Sequence, residues 1–118
     1  MKSFIELDVW IEARKLAKEI YIITGSFPKE EQFGLVSQMR RSIVSVVSNL
    51  AEGYGRNTSK ETIHFLHISR GSLYEVEAQV YISFDQDYLG EDKLNKILEQ
   101  ITVCKKLING FIKYYKNL

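Results

Sequence analysis

The sequence predicts an all-α fold, an antiparallel up-down-up-down four-helix bundle. Apolar residues recur at spacings of three and four along four segments, which is the periodicity of one helix face. Short turn-like stretches separate these segments, and a content of one proline and seven glycines argues against long loops and against an all-β fold. Helices joined by short turns alternate in direction. We expect residues 1–118 to form a single domain.

The first helix is predicted from Asp8 to Thr24. Its apolar face comprises Val9, Ala13, Leu16, Ile20 and Ile23. Asp8 is the expected N-cap, because a side-chain carboxylate can accept the free amide hydrogens of a first turn. Gly25 is expected to end the helix in the left-handed conformation. Phe27 follows in the connection and is expected to close one end of the core.

The second helix is predicted to start between Lys29 and Glu31 and to end at Gly53 and Gly55. Its core face comprises Val36, Met39, Ile43, either Val46 or Val47, and Leu50. A second row of small polar residues has the same spacing and comprises Ser42, Ser45 and Asn49. Such a row predicts close approach of a neighbouring helix, although hydroxyl groups in helices also bond to their own backbone.

The third helix is predicted to open at Thr58, which forms a capping box with Glu61, and to end near Asp87. Its core face comprises Leu66, Ser69, Leu73, Val76 and Val80, with Phe65 and Phe84 on the flanks. Gly71 lies within the helix, where glycine costs about 1 kcal/mol relative to alanine. This cost predicts a close packing partner or a contacting ligand at Gly71.

The fourth helix is predicted from Glu91 to Lys116. Its apolar seam alternates in steps of three and four and comprises Leu94, Ile97, Ile101, Cys104, Ile108, Phe111 and Tyr115. Cys104 is the single cysteine of the chain, which excludes an internal disulfide. Its position on the seam predicts a buried structural thiol.

Charge is unevenly distributed although the net charge is only +1. Residues 57–91 contain two basic and six acidic side chains, whereas residues 92–118 contain six basic and two acidic ones. One interpretation is that the two segments pack side by side with complementary rims. The other is that a basic face stays free for nucleic acid.

Aromatic residues exceed what the predicted core can hold. The surplus comprises Trp10, Tyr21, Tyr54, Phe65, Tyr74, Tyr81 and Tyr114. Apolar flanks on a bundle that already has complete core faces favour a homo-oligomer. The alternative is a set of tyrosines scattered singly over the surface.

Residues 38–56, QMRRSIVSVVSNLAEGYGR, place polar groups within an apolar helix and its final turn. Arg40 and Arg41 point about 100° apart, so one is expected to pair with Glu75 or Glu52 and the other to be exposed. The residues assigned to a structural network are Asn49, Glu52, Gly53, Gly71 and Glu75. The candidate nucleic-acid contacts are Arg40, Arg41, Arg56, Arg70, Lys105 and Lys106. The alternative is that these cations form structural salt bridges.

The sequence contains no pattern typical of catalysis or of a cofactor site. It lacks the G-x-S-x-G elbow, and Gly53-Tyr54-Gly55-Arg56 follows a helix instead of the strand of a phosphate-binding loop. His64 and His67 could present two ligands to a metal ion, but a solvated helix face is the simpler interpretation. The absence of a long apolar run predicts a cytoplasmic protein without a membrane span.

The sequence resembles the protein family that is encoded in intervening sequences of bacterial 23S rRNA genes. The matching positions are Phe4, Leu7-Asp8-Val9-Trp10, Ala13, Leu16, Phe27-Pro28, Glu31, Phe33-Gly34-Leu35, Gln38-Met39-Arg40-Arg41-Ser42, Asn49-Leu50-Ala51-Glu52-Gly53, Gly55-Arg56, Phe65-Leu66, Gly71-Ser72 and Glu75. They span about the first two-thirds of the chain.

This family is similar to the accessory protein of diversity-generating retroelements. That resemblance implies a homopentameric barrel that binds nucleic acid and a reverse transcriptase partner. The accessory protein is strongly basic, whereas this chain carries a net charge of +1. The sequence therefore leaves two hypotheses: a non-enzymatic homo-oligomer that binds RNA or DNA, and a scaffold that binds protein and has structural arginines.

Overall fold

The computed structural model describes residues 3–118, and this part of the chain is helical and contains no strand. The four long helices are α1 (Asp8–Thr24), α2 (Ser37–Tyr54), α3 (Ser59–Asp85) and α4 (Glu91–Lys116). Two 3₁₀ turns, Phe4–Glu6 and Lys29–Glu31, and a π-helical turn, Gln32–Val36, precede α1 and α2. The predicted all-α class is confirmed.

The four helices enclose one apolar core. Helix α1 packs on α2 and α4, and α3 packs on the same two helices, so each helix has two neighbours. Every residue assigned to the core faces of the first three helices is buried, and Val46 takes the position for which Val47 was the alternative. The 3.6-residue periodicity of the sequence therefore identified the buried face of these helices.

The seam of α4 departs from its prediction in the last two turns. Phe111 and Tyr115 are only half-buried, and Ile112 takes the buried position instead. A straight helix drifts by about 20° per heptad relative to a 3.5-residue repeat. Over the length of α4 this drift moves the inward face from Phe111 to Ile112.

Two details of the ends of α1 were wrongly predicted. Asp8 is the first helical residue and Leu7 is the N-cap, without a side-chain capping bond. Gly25 has a right-handed φ of −63°, and its amide donates to the carbonyls of the last turn. The next two amides donate to the carbonyls of Ile23 and Thr24, three residues earlier, which tightens the helix end and removes the need for a left-handed residue.

Phe27 is buried, as predicted, and packs on the ring of Tyr88 at 5.2 Å between centroids. Tyr88 also donates a hydrogen bond of 2.8 Å to a carboxylate oxygen of Glu31, which raises the pKa of Tyr88. These contacts join the α1–α2 and α3–α4 connections at one end of the bundle. The positive φ in the described chain belongs to Asp87, at 62°, in the second connection.

The start of the second helical segment is irregular. Helical conformation begins at Lys29, as predicted, but the regular helix α2 begins only at Ser37. Gly34 has φ and ψ of −110°, and Glu31 accepts the Leu35 amide at 3.3 Å, so the chain bulges before α2. The bulge leaves Phe33 91% exposed.

Candidate nucleic-acid interface

The row of small polar residues on α2 lies against α3, which confirms the predicted close approach. The hydroxyl groups of Ser45 and Ser72 are 2.9 Å apart, and Ser69 donates to the Val46 carbonyl at 2.8 Å. Asn49 donates to the Ser45 carbonyl of its own helix at 2.9 Å. These bonds give Asn49 and its neighbours a structural role.

Gly53 lies in a tight contact between α2 and α3 near their connection. Thr62 donates to the Gly53 carbonyl at 2.8 Å. A Cβ atom on Gly53 would lie 3.0 Å from Phe65 Cβ and 3.4 Å from the Thr62 carbonyl oxygen. The absence of a side chain at this position therefore permits the contact between the helices.

Gly71 and Glu75 have no such role within the chain. A Cβ atom on Gly71 would have no neighbour within 4 Å among residues 3–118, so the predicted close packing partner is not present there. Glu75 is exposed and makes no hydrogen bond or ion pair in the described chain. Both residues lie on the outer surface of α3, one turn apart.

Arg40 links α2 to the last turn of α1. Its Nε donates to Thr24 Oγ1 at 3.0 Å, one terminal nitrogen donates to the Tyr21 carbonyl at 3.2 Å, and the guanidinium lies 4.6 Å from the Tyr21 ring centroid. Arg41 is exposed and has no ion pair or hydrogen bond among residues 3–118. The expected pairing of one arginine with Glu75 or Glu52 is wrong, because backbone and hydroxyl oxygens of α1 satisfy Arg40.

Arg56 pairs with Glu52 one helical turn earlier and lies over the Phe65 ring, 4.6 Å from its centroid. Both charged side chains are exposed, so the pair contributes little to stability. Arg56 follows Arg40 by sixteen residues, about 24 Å along a helix. The six candidate cations therefore do not form one patch, since Arg40 contacts the end of α1 whereas Arg56 lies just beyond the opposite end of α2.

Three of the candidates come together where α3 packs on α4. Arg70 donates to the side-chain oxygen of Asn109 at 3.0 Å, and Lys105 donates to both carboxylate oxygens of Glu77 at 2.7 and 2.8 Å. Lys106 is adjacent and exposed. The acidic and basic segments of the sequence thus pack side by side, as the first interpretation of their charges predicted.

Two further lysines extend this surface along α4. Lys113 and Lys116 follow Asn109 at spacings of four and three, which places them on the same side of the helix. The Lys105 ammonium lies 5.0 Å from the ring centroid of Tyr74, a residue that is 50% exposed. We call the cationic face the surface formed by Arg70, Tyr74, Lys105, Lys106, Lys113 and Lys116.

Sequence reasoning missed Lys113, Lys116 and Tyr74 as members of this surface. The sequence shows Lys105, Asn109, Lys113 and Lys116 at steps of four, four and three, which is one side of a helix. It does not show that α3 packs beside them and completes the surface. Tyr74 was recognised only as surplus aromatic area. A joint helical projection of α3 and α4 would have grouped them.

His67 lies next to the cationic face. Partial burial lowers the pKa of His67 below its ordinary value of 6.5, and the nearby charges of Arg70 and Lys116, with His64, lower it further. Residues 3–118 contain no group of three or more histidine, cysteine, aspartate or glutamate side chains arranged to hold a metal ion. The two histidines are therefore better described as part of a positively charged neighbourhood.

Cys104 is 1% exposed within the core, as the seam predicted. Burial raises the pKa of its thiol to about 12, with a smaller contribution from Glu12. At neutral pH the thiolate is scarcely populated, so the group is poorly suited to nucleophilic chemistry. None of the helices in the described chain has the length and apolarity needed to cross a bilayer.

The structure resembles that of a protein of unknown function from the S23 ribosomal protein family of Bacteroides thetaiotaomicron VPI-5482. The TM-score is 0.82, the identity is 21%, and the match covers 89% of this chain and 98% of the other. At this identity the likeness establishes the fold alone.

A search of curated proteins gave no match. The family model of the 23S rRNA-intervening sequence protein matches residues 5–110. Since the match spans most of the sequence, the chain belongs to the 23S rRNA-intervening sequence protein family.

Proposed function

We propose that this chain is a non-enzymatic, cytoplasmic protein whose up-down-up-down bundles assemble into a homo-oligomeric ring and bind nucleic acid through basic residues. Five copies are favoured by the resemblance to the retroelement accessory protein. The observation that carries the proposal is the exposure of large apolar side chains outside a complete core, including Phe33, Val44, Ile68 and Ile82. Apolar surface of this kind is typical of contacts between proteins.

The outer surface of α2 and α3 is the part we assign to assembly. Ser45 and Ser72 contact each other, Arg41 lies one turn before Ser45 on α2, and Glu75 lies one turn after Ser72 on α3. Both charges are exposed and unpaired within residues 3–118. A second copy can supply the missing partner of each if Arg41 of one copy meets Glu75 of the next, which is a head-to-tail contact of the kind that closes into a ring.

Val44 and Ile68 flank these charges and are 45% and 39% exposed. Gly71 lies nearby with no neighbour within 4 Å of a Cβ position. A glycine on an open helix surface lets another backbone approach closely, which would offset its unfavourable helix propensity. Assembly therefore accounts for a residue that packing within the chain does not explain.

Light scattering tests the assembly directly. We expect a multiple of the 13.7 kDa chain mass at micromolar concentration. Arg41→Glu and Glu75→Arg are each expected to lower the mass, and the double variant is expected to restore it, because the swapped charges attract again. Lys18 is an exposed residue of α1, and Lys18→Glu is the matched control, which should leave the mass unchanged. A monomeric wild-type mass would contradict the ring.

Nucleic-acid binding is tested by fluorescence anisotropy of a structured RNA across a salt series. The names of the family and of the similar Bacteroides protein refer to ribosomal RNA or the ribosome, which makes structured RNA the first probe. We expect binding that weakens steeply with salt, because phosphate contacts release counterions. Absence of binding at low salt would contradict this part of the proposal.

The second candidate function is a protein-binding scaffold, with a reverse transcriptase or another protein as partner. The observation that favours it is the engagement of Arg40, Arg56 and Lys105 within the chain. A scaffold would retain the oligomeric mass and show no affinity for RNA. The two measurements together therefore distinguish the candidates.

A further inference from the structure

We propose that the cationic face is a binding site for single-stranded nucleic acid, with phosphates on its cations and a base stacked on Tyr74. The proposal rests on the nucleic-acid function above and adds the location of the site and the class of strand.

The face concentrates positive charge on a chain whose net charge is +1. Glu77 neutralises Lys105. Arg70 bonds to the neutral amide of Asn109, so its charge remains uncompensated. Lys106, Lys113 and Lys116 are exposed and form no ion pair among residues 3–118, which leaves four cations available to phosphates.

These cations follow a line along the bundle. Lys106 and Lys116 are ten residues apart, about 15 Å at the helical rise of 1.5 Å per residue. Arg70 is held opposite the middle of this line by its bond to Asn109. A line of charges of this length suits an extended backbone with several phosphates.

Tyr74 provides an aromatic surface beside the charges. Its side chain is 50% exposed, and the Lys105 ammonium lies 5.0 Å from its ring centroid. Glu77 holds that ammonium with two hydrogen bonds, so the contact with the ring is itself fixed. Tyr81 lies two turns further along the same side of α3 and is 48% exposed. Exposed rings beside a basic groove are the means by which proteins bind single strands.

The tyrosine makes the proposal specific for single strands. Bases in a duplex are already stacked on each other, and their flat faces are inaccessible to a protein side chain. A single strand can turn a base onto Tyr74 while its phosphates contact the lysines. Phosphate contacts alone would bind both kinds of nucleic acid through the same electrostatic attraction.

The experiment compares a single-stranded RNA of about 20 nucleotides, longer than the sites typical of such surfaces, with the duplex of the same sequence. Fluorescence anisotropy is measured for the full chain and for Tyr74→Ala, Tyr74→Phe, Lys113→Gln and Lys116→Gln. Lys18 is an exposed residue of α1, and Lys18→Gln makes the same change in charge, so it is the matched control. Thermal unfolding of each variant confirms that it remains folded.

We expect the single strand to bind more tightly than the duplex. Tyr74→Ala should weaken single-strand binding about tenfold and leave duplex binding unchanged, since a stacked base is lost, whereas Tyr74→Phe should retain the affinity. Each lysine variant should reduce the salt slope by about 0.7, and Lys18→Gln should not.

Equal affinity for the single-stranded RNA and the duplex, with no effect of Tyr74→Ala on either, would overturn the single-strand site while the nucleic-acid function stands. Retained affinity in both Lys113→Gln and Lys116→Gln would place the contact elsewhere and would also overturn it. Absence of binding to either RNA would overturn the nucleic-acid function itself. These results are distinct, so the two proposals fail separately.

Discussion

Arg40 and Arg41 are adjacent in the sequence but have different surroundings. Arg40 makes two hydrogen bonds to the end of α1 and lies over Tyr21, whereas Arg41 is exposed. Arg40→Ala is expected to lower the free energy of unfolding by about 1–2 kcal/mol, because Thr24 and the stacked ring lose their partner. Urea unfolding followed by circular dichroism measures the change.

Arg41→Ala is the matched control for this prediction. As an exposed substitution it should change the free energy of unfolding by less than about 0.5 kcal/mol. Equal losses for the two variants would contradict the assignment of Arg40 as the structural arginine. The measurement is made at a concentration where the chain is monomeric, so that assembly does not contribute.

Cys104 provides a second prediction at this scale. With a pKa raised to about 12 in the core, the thiol should resist alkylation by iodoacetamide at pH 8. Unfolding in urea should expose one reactive thiol per chain, because the chain has one cysteine. Mass spectrometry of labelled native protein measures the result, and rapid labelling without urea would contradict the buried assignment.

The environment of Arg40 shows where prediction at the residue scale ends. The sequence correctly indicated that the two arginines point in different directions, which follows from the helical geometry. It did not indicate the partner, because Arg40 contacts a carbonyl and a hydroxyl group of another helix. Acidic residues were the visible candidates, but backbone oxygens carry no sequence signal.

At the scale of single elements, Gly53 and Gly71 form a matched pair within helices. Gly53→Ala should destabilise the protein by about 1–3 kcal/mol, since the new methyl group would meet Phe65 at 3.0 Å. Gly71→Ala should stabilise the isolated chain by about 0.5–1 kcal/mol, since its site is open and alanine is a better helix former. Thermal unfolding of dilute protein compares them.

Destabilisation by Gly71→Ala in a chain that light scattering shows to be monomeric would contradict the open site. Stabilisation of the monomer together with a lower oligomeric mass would locate Gly71 at the assembly surface. The same substitution thus separates folding within the chain from contact between chains.

The helical elements were predictable because apolar periodicity and capping residues specify them locally. Thr58 accepts the Glu61 amide at 3.2 Å, as the T-x-x-E pattern indicated. The late start of α2 was not predictable from those signals. It depends on the conformation of Gly34 and on the bond from Tyr88 to Glu31, whose partner comes from another connection.

At the scale of the whole molecule, protonation is expected to couple to nucleic-acid binding. The pKa of His67 is lowered by burial and by Arg70, Lys116 and His64, so the free protein protonates this ring less readily than an ordinary histidine. A bound phosphate would favour the charged ring, and the complex would take up a proton. RNA affinity at constant salt should therefore rise as pH falls below 6.5.

The double variant His64→Gln, His67→Gln is the control for this prediction, because the chain has two histidines and no other side chain normally titrates there. Its affinity should be flat between about pH 5.5 and 7.5. In the wild type, the contribution of His67 to folding stability has the opposite dependence. Its lowered pKa means that the unfolded chain takes up the proton more readily, so stability is lost as pH falls.

The charge of the cationic face was partly visible in the sequence. The excess of basic residues after position 91 indicated a basic segment, and its packing on the acidic segment was one of the two interpretations. The packing interpretation holds for Lys105, which pairs with Glu77. Lys106 and Lys113 do not pair with a carboxylate within residues 3–118, and a role for them in nucleic-acid binding stays a prediction. The numbers of basic and acidic residues in each segment could not show which cations are paired, because pairing depends on the contact between helices.

The close contact of α2 and α3 also bears on the order of folding. It is the most extensive interface between helices, and a connection of four residues joins its two sides. Closing such a short loop costs little chain entropy, so contacts near the connection can form early. Ser69 and Thr62 then bond to backbone carbonyls of α2, which allows one alignment of the helices and disfavours slippage. We expect this hairpin to form the folding nucleus on which α1 and α4 dock.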